Sequence, residues 1–118
     1  MPVTILAIES SCDETAVAIL RHSDNESGNP VEILASEISS QIDIHREFGG
    51  VVPELASRNH SLHLRPLIDL ALSNASLSIH DIDAFGATAG PGLASSLLVG
   101  NTTAKSLAIA TEKTIYLH

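Results

Sequence analysis

The fold is decided by residues 3–20, which read VTILAIESSCDETAVAIL. Two short apolar runs, residues 3–9 and 15–20, flank a small polar turn and are partly β-branched, so they predict two buried strands joined by a hairpin. Turn-forming residues fill positions 23–30, and apolar residues then alternate from Val31 to Ser39. The sequence therefore predicts a third strand, and with it an antiparallel meander.

A long helix follows a glycine-containing passage that looks irregular. Pro53 suits the first turn of a helix, and Glu54 stands where the helix dipole favours an acid. From Leu55 to about Ala75 the apolar residues recur at the helical period. Pro66 lies inside this stretch, so we expect it to kink the helix or to split it in two.

The last third of the chain alternates strands with a helix. Residues 84–89 predict a strand, residues 93–110 a buried helix rich in small side chains, and residues 114–117 a final strand. The order β-β-β-α-β-α-β predicts an α/β fold, in which helices pack on a mixed five-stranded sheet. No internal repeat or low-complexity linker divides the chain.

The composition is that of one small globular domain. The chain has 118 residues, of which 44% are hydrophobic and 17% charged, and this balance excludes a disordered acidic tail. No apolar run reaches about 18 residues, so no membrane span is expected. The lone Cys12 excludes an internal disulfide, and residues 1–4 lack the basic start of a secretory signal. We therefore expect a cytoplasmic protein without membrane contact.

The net charge is strongly acidic. Six Lys and Arg residues stand against 14 Asp and Glu residues, which gives −8 at pH 7. Such a surface repels phosphate backbones. If the protein acts on a nucleic acid, another domain or a partner must supply the basic surface.

The sequence stops at Leu117-His118, at the end of the last predicted strand. Ligands of α/β sheets usually lie beyond the carboxyl ends of strands. The expectation is therefore that the chain is a piece of a larger protein, cut just before a functional loop.

The first candidate motif is the hairpin turn Ser10-Ser11-Cys12-Asp13-Glu14. Its small side chains let backbone N–H groups approach an anion, and a neighbouring carboxylate can hold a metal ion or a water molecule. An ordinary polar hairpin loop explains the same residues. Cys12 has no basic neighbour in the sequence that would make its thiol reactive.

A second motif surrounds the start of the long helix. A tight turn that passes close to the sheet explains residues 49–53, but it does not explain the basic side chains of His45, Arg58 and His60. His60 and His63 are three positions apart, a spacing that predicts one shared helix face and could supply part of a zinc site. A partly exposed helix surface is the alternative, since no third ligand is evident.

The third motif is the turn Gly90-Pro91-Gly92 between a predicted strand and a predicted helix. A strand, a glycine-rich turn and a helix N-terminus together form an anion cradle. The motif is not a P-loop, because Lys105 lies far past the position that a P-loop lysine needs. Close packing of the strand on the helix is the alternative for the turn. Packing is preferred for the small residues of the helix body, which are Ala94, Gly100, Ala104 and Ala108.

Taken together, three segments resemble the TsaD family, once called Gcp or O-sialoglycoprotein endopeptidase. They are IESSCDETA at residues 8–16, GGVVPELASR at 49–58, and TAGPGL at 88–93 with SLLVG at 96–100. The segments occur in the family's order and spacing, and the resemblance covers residues 3–112. It implies an actin-like fold built from two ribonuclease-H-like lobes, with residues 1–118 forming the N-terminal lobe.

The resemblance also implies a reaction and its components. Family members transfer a threonylcarbamoyl group from threonylcarbamoyl-adenylate to N6 of the adenosine beside the anticodon of tRNA. An iron or zinc ion in the cleft would help to polarise that group. Partners in bacteria are the paralogue TsaB and the ATPase TsaE. Pairing with the paralogue, or self-association of an isolated lobe, would use residues 53–75 and 93–110.

Site residues are carried over by position. The expected catalytic acids are Asp13 and Glu14, and Glu14 would orient a water molecule or the outer shell of the metal. The residues expected to frame the bound donor are Ser10, Ser11, Cys12, Gly90 and Gly92. The family's metal motif, His-x-Glu-Gly-His, should begin just after His118, so the metal ligands are expected beyond this chain and the isolated chain is expected to be inactive.

The sequence departs from the family's pattern at some positions, and two other identifications stay open. Ala94-Ser95 replaces a usual apolar-Gly pair, and Thr114 replaces a usual proline. One alternative is a non-catalytic paralogue of the TsaB type that acts as a binding scaffold, although that type lacks the Cys-Asp-Glu-Thr and Gly-Gly-Val-Val-Pro segments present here. The other is a sugar or acetate kinase, whose usual Asp-x-Gly turn is replaced here by Glu9-Ser10-Ser11.

Overall fold

Five strands form one mixed sheet in the computed structural model, which describes residues 2–11, 14–23, 30–40, 49–50 and 53–118. The strands are β1 (Val3–Glu9), β2 (Glu14–His22), β3 (Val31–Ser40), β4 (Ala84–Ala87) and β5 (Thr114–Leu117). Their order across the sheet is β3-β2-β1-β4-β5. The first three strands pair antiparallel, whereas β4 pairs parallel with both β1 and β5. The predicted mixed five-stranded α/β architecture is confirmed.

Two helices lie on one face of this sheet. Helix α1 (Pro53–Ala75) packs on β2 and β3, and helix α2 (Ala94–Thr111) packs on β1, β4 and β5. The helices also contact each other. A short 3-10 turn, Ile79–Asp81, connects α1 to β4. Within the described ranges, neither helix is both long and apolar enough to cross a membrane.

Alternation along the strands builds the core between the sheet and the helices. In β1, Leu6 and Ile8 are buried while their neighbours are only half-buried, and the same alternation runs through β2. Burying such a side chain stabilises the fold by about 1.5–3 kcal/mol. The larger buried side chains that meet in this core are Leu6, Ile8, Val17, Ile19, Leu64, Ile68, Ile82 and Phe85.

Of the two effects expected of Pro66, a kink or a split, the split is wrong, because α1 runs as one element through it. The kink stays a prediction. Proline removes one backbone donor, which leaves the carbonyl of the residue four positions earlier without its helical bond. That residue is Leu62, and both Leu62 and Pro66 lie on the exposed face of α1. Water can therefore solvate the carbonyl, so the helix continues.

A β-bulge shifts the apolar pattern of β3. Ile19 pairs with Ala35 while Leu20 pairs with Ile33, so Leu34 is the extra residue. Ala35 consequently faces the helices and is buried, whereas Ile33 is 67% exposed. The regular alternation that identified the strand in the sequence is broken at this point.

Small side chains allow α2 to approach the sheet closely. Ser96, Gly100, Ala104 and Ala108 form its buried stripe. A Cβ atom added at Gly100 would lie 3.1 Å from Ile8 Cγ2, so a larger residue there would push the helix outward. The packing interpretation is thus confirmed for three of the four predicted residues, and it is wrong for the fourth, Ala94, which is exposed.

Candidate functional site

The hairpin after β1 and the loop after β4 meet where the two strands end. The backbone N–H of Leu93 donates a hydrogen bond to the carbonyl oxygen of Ser11 at 2.7 Å. A Cβ atom added at Gly92 would lie 2.6 Å from the same oxygen, so only glycine fits the contact. Because β1 and β4 are parallel neighbours, this contact lies at their carboxyl ends, where α/β sheets usually bind ligands.

Glu9, the last residue of β1, fastens the two loops together. Its Oε1 atom accepts the backbone N–H of Ser11 at 2.6 Å, and its Oε2 atom accepts the hydroxyl of Thr88 at 2.5 Å. Burial raises the pKa of Glu9, but the hydrogen bonds from Ser11 and Thr88 and the attraction of His60 together outweigh it. The pKa of Glu9 is therefore lowered, and the site contains a carboxylate that is ionised at neutral pH.

Thr88 is held in turn from the helix side. Its backbone N–H donates to the carbonyl of Ile8 at 3.1 Å, which extends the pairing of β1 and β4 by one residue. The side-chain amide of Asn101 donates to the carbonyls of Thr88 and Leu97, each at 2.8 Å. The loop after β4 is thus fixed to both β1 and α2.

Ser10 is turned away from the opening between the loops. Its side chain is buried, and its hydroxyl donates to the carbonyl of Ser96 at 2.7 Å and accepts the backbone N–H of Gly100 at 3.1 Å. These bonds bind the hairpin to the buried stripe of α2. Any contact of Ser10 with a ligand would therefore be made by its backbone, and that contact stays a prediction.

The other predicted site residues lie around the same edge of the sheet. Ser11 is half-buried, and Gly92 lies directly against it. Gly90 is exposed, with open space around the position that a Cβ atom would take. Glu14 is exposed at the start of β2. The remaining two predicted residues, Cys12 and Asp13, lie outside the described residues.

The N-terminus of α2 opens beside this contact. Leu93 is its N-cap residue and gives no side-chain cap, so first-turn N–H groups of the helix remain available to an anion. The hydroxyl of Ser96, also in the first turn, is buried without a hydrogen-bond partner. The N–H groups of the first turn favour a negatively charged ligand that approaches along the helix axis, whereas the Ser96 hydroxyl is 0% exposed and cannot reach one.

The histidines of α1 do not form the pair that their spacing predicts. His60 is fully buried, with its Nδ1 atom 2.6 Å from the hydroxyl of Thr15, whereas His63 is exposed. The prediction of a shared face is wrong, because the helix rotates by about 60° between such positions and the boundary of the core falls between them. In the described part of the chain no three His, Cys, Asp or Glu side chains are grouped to hold a metal ion.

Sequence reasoning missed three residues of this site, namely Glu9, Thr88 and Asn101. Glu9 was assigned to a strand end and Asn101 to the interior of a helix, and their partners are distant in sequence. A usable signal was present, since Glu9 and Thr88 both directly follow the apolar run of a predicted strand. Polar residues at the carboxyl ends of neighbouring parallel strands converge on one edge of the sheet.

A protein-family model matches residues 32–117, and its description is TsaD: tRNA N6-adenosine threonylcarbamoyltransferase. Curated proteins of that same name are similar over nearly the whole chain. The one from Kosmotoga olearia is 56% identical over 92% of this chain, and that from an Anaeromyxobacter species is 55% identical over 92%. The chain spans about a third of the length of these relatives, 31% in both cases.

Solved structures show the same fold at lower identity. YeaZ from Pseudomonas aeruginosa superposes with a TM-score of 0.69 and 19% identity, over 98% of this chain and 42% of that one. The Aquifex aeolicus PPX-GPPA enzyme superposes with a TM-score of 0.50 and 8% identity, over 100% of this chain and 36% of that one. At these identities the similarity concerns the fold alone, and it agrees with the mixed α/β architecture. That this fold is one actin-like, ribonuclease-H-like lobe stays a prediction.

Proposed function

Because the chain belongs to the TsaD family of tRNA N6-adenosine threonylcarbamoyltransferases, we propose that it is the N-terminal lobe of a two-lobed, tRNA-modifying transferase. The donor is threonylcarbamoyl-adenylate, and the acceptor is N6 of the adenosine beside the anticodon. The N6 amine attacks the carbamoyl carbon, the bond from that carbon to the phosphate oxygen breaks, AMP leaves, and the amine loses a proton.

One observation carries the assignment of the site, which is the contact between Ser11 and Gly92 at the N-terminus of α2. The leaving group of the reaction is AMP, which departs through its negatively charged phosphate. A helix N-terminus stabilises negative charge through its unpaired N–H groups and its dipole. We propose that the phosphate of the donor binds at this edge, framed by the backbone of Ser10, Ser11, Gly90 and Gly92. Cys12 is proposed to contribute as well, on the resemblance alone, because it lies outside the described residues.

Glu9 has a positioning role in this scheme. Both of its carboxylate oxygens accept hydrogen bonds from the protein, one from Ser11 and one from Thr88. The carboxylate therefore holds the two donor-facing loops at a fixed separation. Pre-set loops of this kind avoid the cost of reorganising around the charge that develops on the leaving group.

Asp13 and Glu14 are proposed as the acidic groups that act on the reacting atoms. Glu14 is exposed where β2 leaves the hairpin, and its carboxylate is proposed to orient a water molecule beside the transferred group. Asp13 adjoins it in the chain, outside the described residues. The described residues do not fit a metal ion, so no step is derived through one. An iron or zinc ion is proposed only for the whole protein, with ligands outside this chain.

The partners proposed for the whole protein are a TsaB-like paralogue and a TsaE-like ATPase. The paralogue would dock on α1 and α2, which enclose a groove of about 360 Å³ between Ile68, Leu72 and Leu107. Leu98 and Ile109 are large apolar residues on the outer side of α2 and are 64% and 78% exposed. In the isolated chain the same surface would mediate self-association.

The tRNA substrate requires a surface that this chain does not provide. Its charge of −8 repels a phosphate backbone, so we assign tRNA binding to basic surfaces of the complete complex. The proposed compartment is the cytoplasm. The alternative of a non-catalytic scaffold is the weaker one, because the relatives that are 55–56% identical carry the name of the transferase.

The proposed function is tested in the full-length enzyme with its partner proteins, threonylcarbamoyl-adenylate and an unmodified tRNA. We expect Glu14→Ala to abolish transfer while the melting temperature stays unchanged, since Glu14 is exposed. Glu32→Ala, which removes an exposed carboxylate from β3, is the matched control and is expected to transfer normally. Full activity of Glu14→Ala, or no transfer by the wild-type enzyme, would contradict the proposal.

A further inference from the structure

A buried hydrogen bond joins α1 to the start of β2. The hydroxyl oxygen of Thr15 and the Nδ1 atom of His60 are 2.6 Å apart, and both residues are 0% exposed. Neither side chain can therefore reach a ligand. The proposed reaction gives this pair no role. Burying the polar atoms of a histidine in the core nevertheless costs free energy that an apolar side chain would not.

An apolar pair would fill the same volume without the cost of burying polar groups. The imidazole and the hydroxyl are accommodated because they bond to each other, and such a bond fixes both distance and direction. Apolar side chains that pack together can slide past one another, whereas this hydrogen bond restricts the movement of α1 relative to β2. The pair thus sets the position of α1 relative to one particular residue of β2.

That residue is the neighbour of a proposed catalytic acid. Side chains alternate along a strand, so Thr15 faces the helices while Glu14 points to the opposite side and is exposed. The backbone between them is short and extended. A restraint on Thr15 therefore limits the directions that the Glu14 carboxylate can take.

His60 also influences the other end of the hairpin. Its attraction contributes to the lowered pKa of Glu9, the residue that fastens the hairpin to the loop after β4. One side chain of α1 thus acts on the last residue of β1 electrostatically and on the second residue of β2 by a hydrogen bond. These two positions bracket the whole turn.

We propose that His60 is a positioning residue, which holds the start of β2 through Thr15 and thereby orients Glu14 for transfer. This proposal rests on the proposed function, because the orientation matters only if Glu14 acts in the reaction. It assigns to a fully buried histidine a task that a purely structural core residue would not have.

The test uses the full-length enzyme with its partners, and it compares variants that differ only in the hydrogen bond. Thr15→Val removes the hydroxyl at constant shape, whereas Thr15→Ser keeps it. His60→Asn keeps a polar atom near the position of Nδ1, whereas His60→Gln moves it away. His22→Asn, at an exposed histidine that ends β2, is the matched control.

We expect Thr15→Val and His60→Gln to lower kcat by about tenfold or more, with KM for the donor changed by less than about twofold. Thr15→Ser and His60→Asn should recover most of that loss, and His22→Asn should match the wild type. A role in stability alone would lower the melting temperature but would leave the kcat of the folded enzyme unchanged.

Each outcome supports or overturns either the role of His60 or the proposed function. Folded Thr15→Val enzyme with wild-type kcat, or Thr15→Ser as impaired as Thr15→Val, overturns the role of His60. If Thr15→Val and His60→Gln do not fold, folded Thr15→Ala, which also lacks the hydroxyl, decides: a loss of kcat of about tenfold supports the role, and wild-type kcat overturns it. Absence of transfer by the wild-type enzyme overturns the proposed function instead.

Discussion

The carboxylate of Glu9 and the hydroxyl of Thr88 lie 2.5 Å apart, although 79 positions separate them in the sequence. One residue ends β1 and the other directly follows β4. Their hydrogen bond therefore joins the hairpin and the glycine-rich loop, the two segments that frame the proposed donor site. The geometry of the site depends on this carboxylate staying ionised.

Replacing Glu9 by Gln should lower the stability of the chain in a pH-dependent way. The folded-state pKa of Glu9 lies below its ordinary value of 4.5. The carboxylate therefore adds stability above about pH 4.5, and this contribution is lost as the pH falls through the lowered pKa. We expect Glu9→Gln to cost about 1–3 kcal/mol at pH 7 and less at acidic pH.

Denaturant unfolding of wild type and Glu9→Gln at several pH values measures this difference. Glu32→Gln, an exposed carboxylate on β3, is the control and should follow the wild type throughout. If the loss in the free energy of unfolding caused by Glu9→Gln stays constant down to about pH 3, the charge of Glu9 does not strengthen its hydrogen bonds to the two loops.

Replacing Gly92 by Ala should separate the two loops of the site. The new Cβ atom would lie 2.6 Å from the carbonyl oxygen and 2.7 Å from the Cβ atom of Ser11, so the backbones must move apart. In the full-length enzyme we expect transfer to fall by about tenfold to a hundredfold, because small displacements of positioned groups are costly in catalysis.

Gly86→Ala in β4 is the matched control, since a Cβ atom there meets only the backbone oxygen of Tyr116, at an ordinary contact distance of 3.5 Å. Initial rates with saturating tRNA and varied donor give kcat and KM for both variants. Equal kinetics for Gly92→Ala and wild type would mean that the contact between the two loops has no part in the reaction.

Replacing Gly100 by Ala should destabilise the chain by overpacking the interface between α2 and the sheet. The added Cβ atom would lie 2.5 Å from the hydroxyl oxygen of Ser10 and 3.1 Å from Ile8 Cγ2. We expect a loss of about 1–3 kcal/mol in the free energy of unfolding.

The double variant Gly100→Ala with Ser10→Ala isolates the cause. Removing the Ser10 hydroxyl leaves the Cβ atoms 3.4 Å apart, so the double variant should lose less stability than the two single losses combined. Strictly additive losses in denaturant unfolding would place the strain elsewhere.

Replacing Leu98 by Lys should weaken partner binding without affecting the fold. Leu98 is 64% exposed on α2, at the proposed partner surface, so a charge there leaves the core intact but opposes burial of the surface. We expect affinity for the TsaB-like paralogue to fall by about tenfold or more, by analogy with central interface residues.

Ile33→Lys is the control for this variant, because Ile33 is 67% exposed but lies on the outer strand β3, away from both helices. Calorimetric titration of the paralogue into each full-length variant gives the dissociation constants. A larger loss for Ile33→Lys than for Leu98→Lys would move the partner surface from the helices to the sheet.

The architecture follows from local patterns in the sequence, and for that reason it was predictable. Alternation in β1 and β2 and the helical period of α1 and α2 concern residues that are close in the chain. The continuity of α1 through Pro66 could not be predicted, because the effect of the proline depends on whether the freed carbonyl faces water. That exposure is a property of the finished fold. The bulge at Leu34 was missed for the same reason, since it depends on pairing with β2.

The site was predictable only in part. Its two loops were identified from their small residues, and the structure brings Ser11 and Gly92 together. The groups that hold them were not found, because hydrogen bonds such as that between Glu9 and Thr88 leave no mark on local composition. For His60 the sequence indicated too much. Its spacing from His63 allowed a metal ligand on the helix surface, whereas tertiary packing buries the residue.

The most direct measurement uses a chimera in which this chain replaces the matching third of the relative from Kosmotoga olearia. The chimera is incubated with its partners, threonylcarbamoyl-adenylate and unmodified tRNA, and the nucleosides are then analysed by mass spectrometry. We expect threonylcarbamoyladenosine from the chimera and none from its Glu14→Ala variant. A folded chimera that leaves the tRNA unmodified would contradict the claim that this chain is a lobe of the transferase.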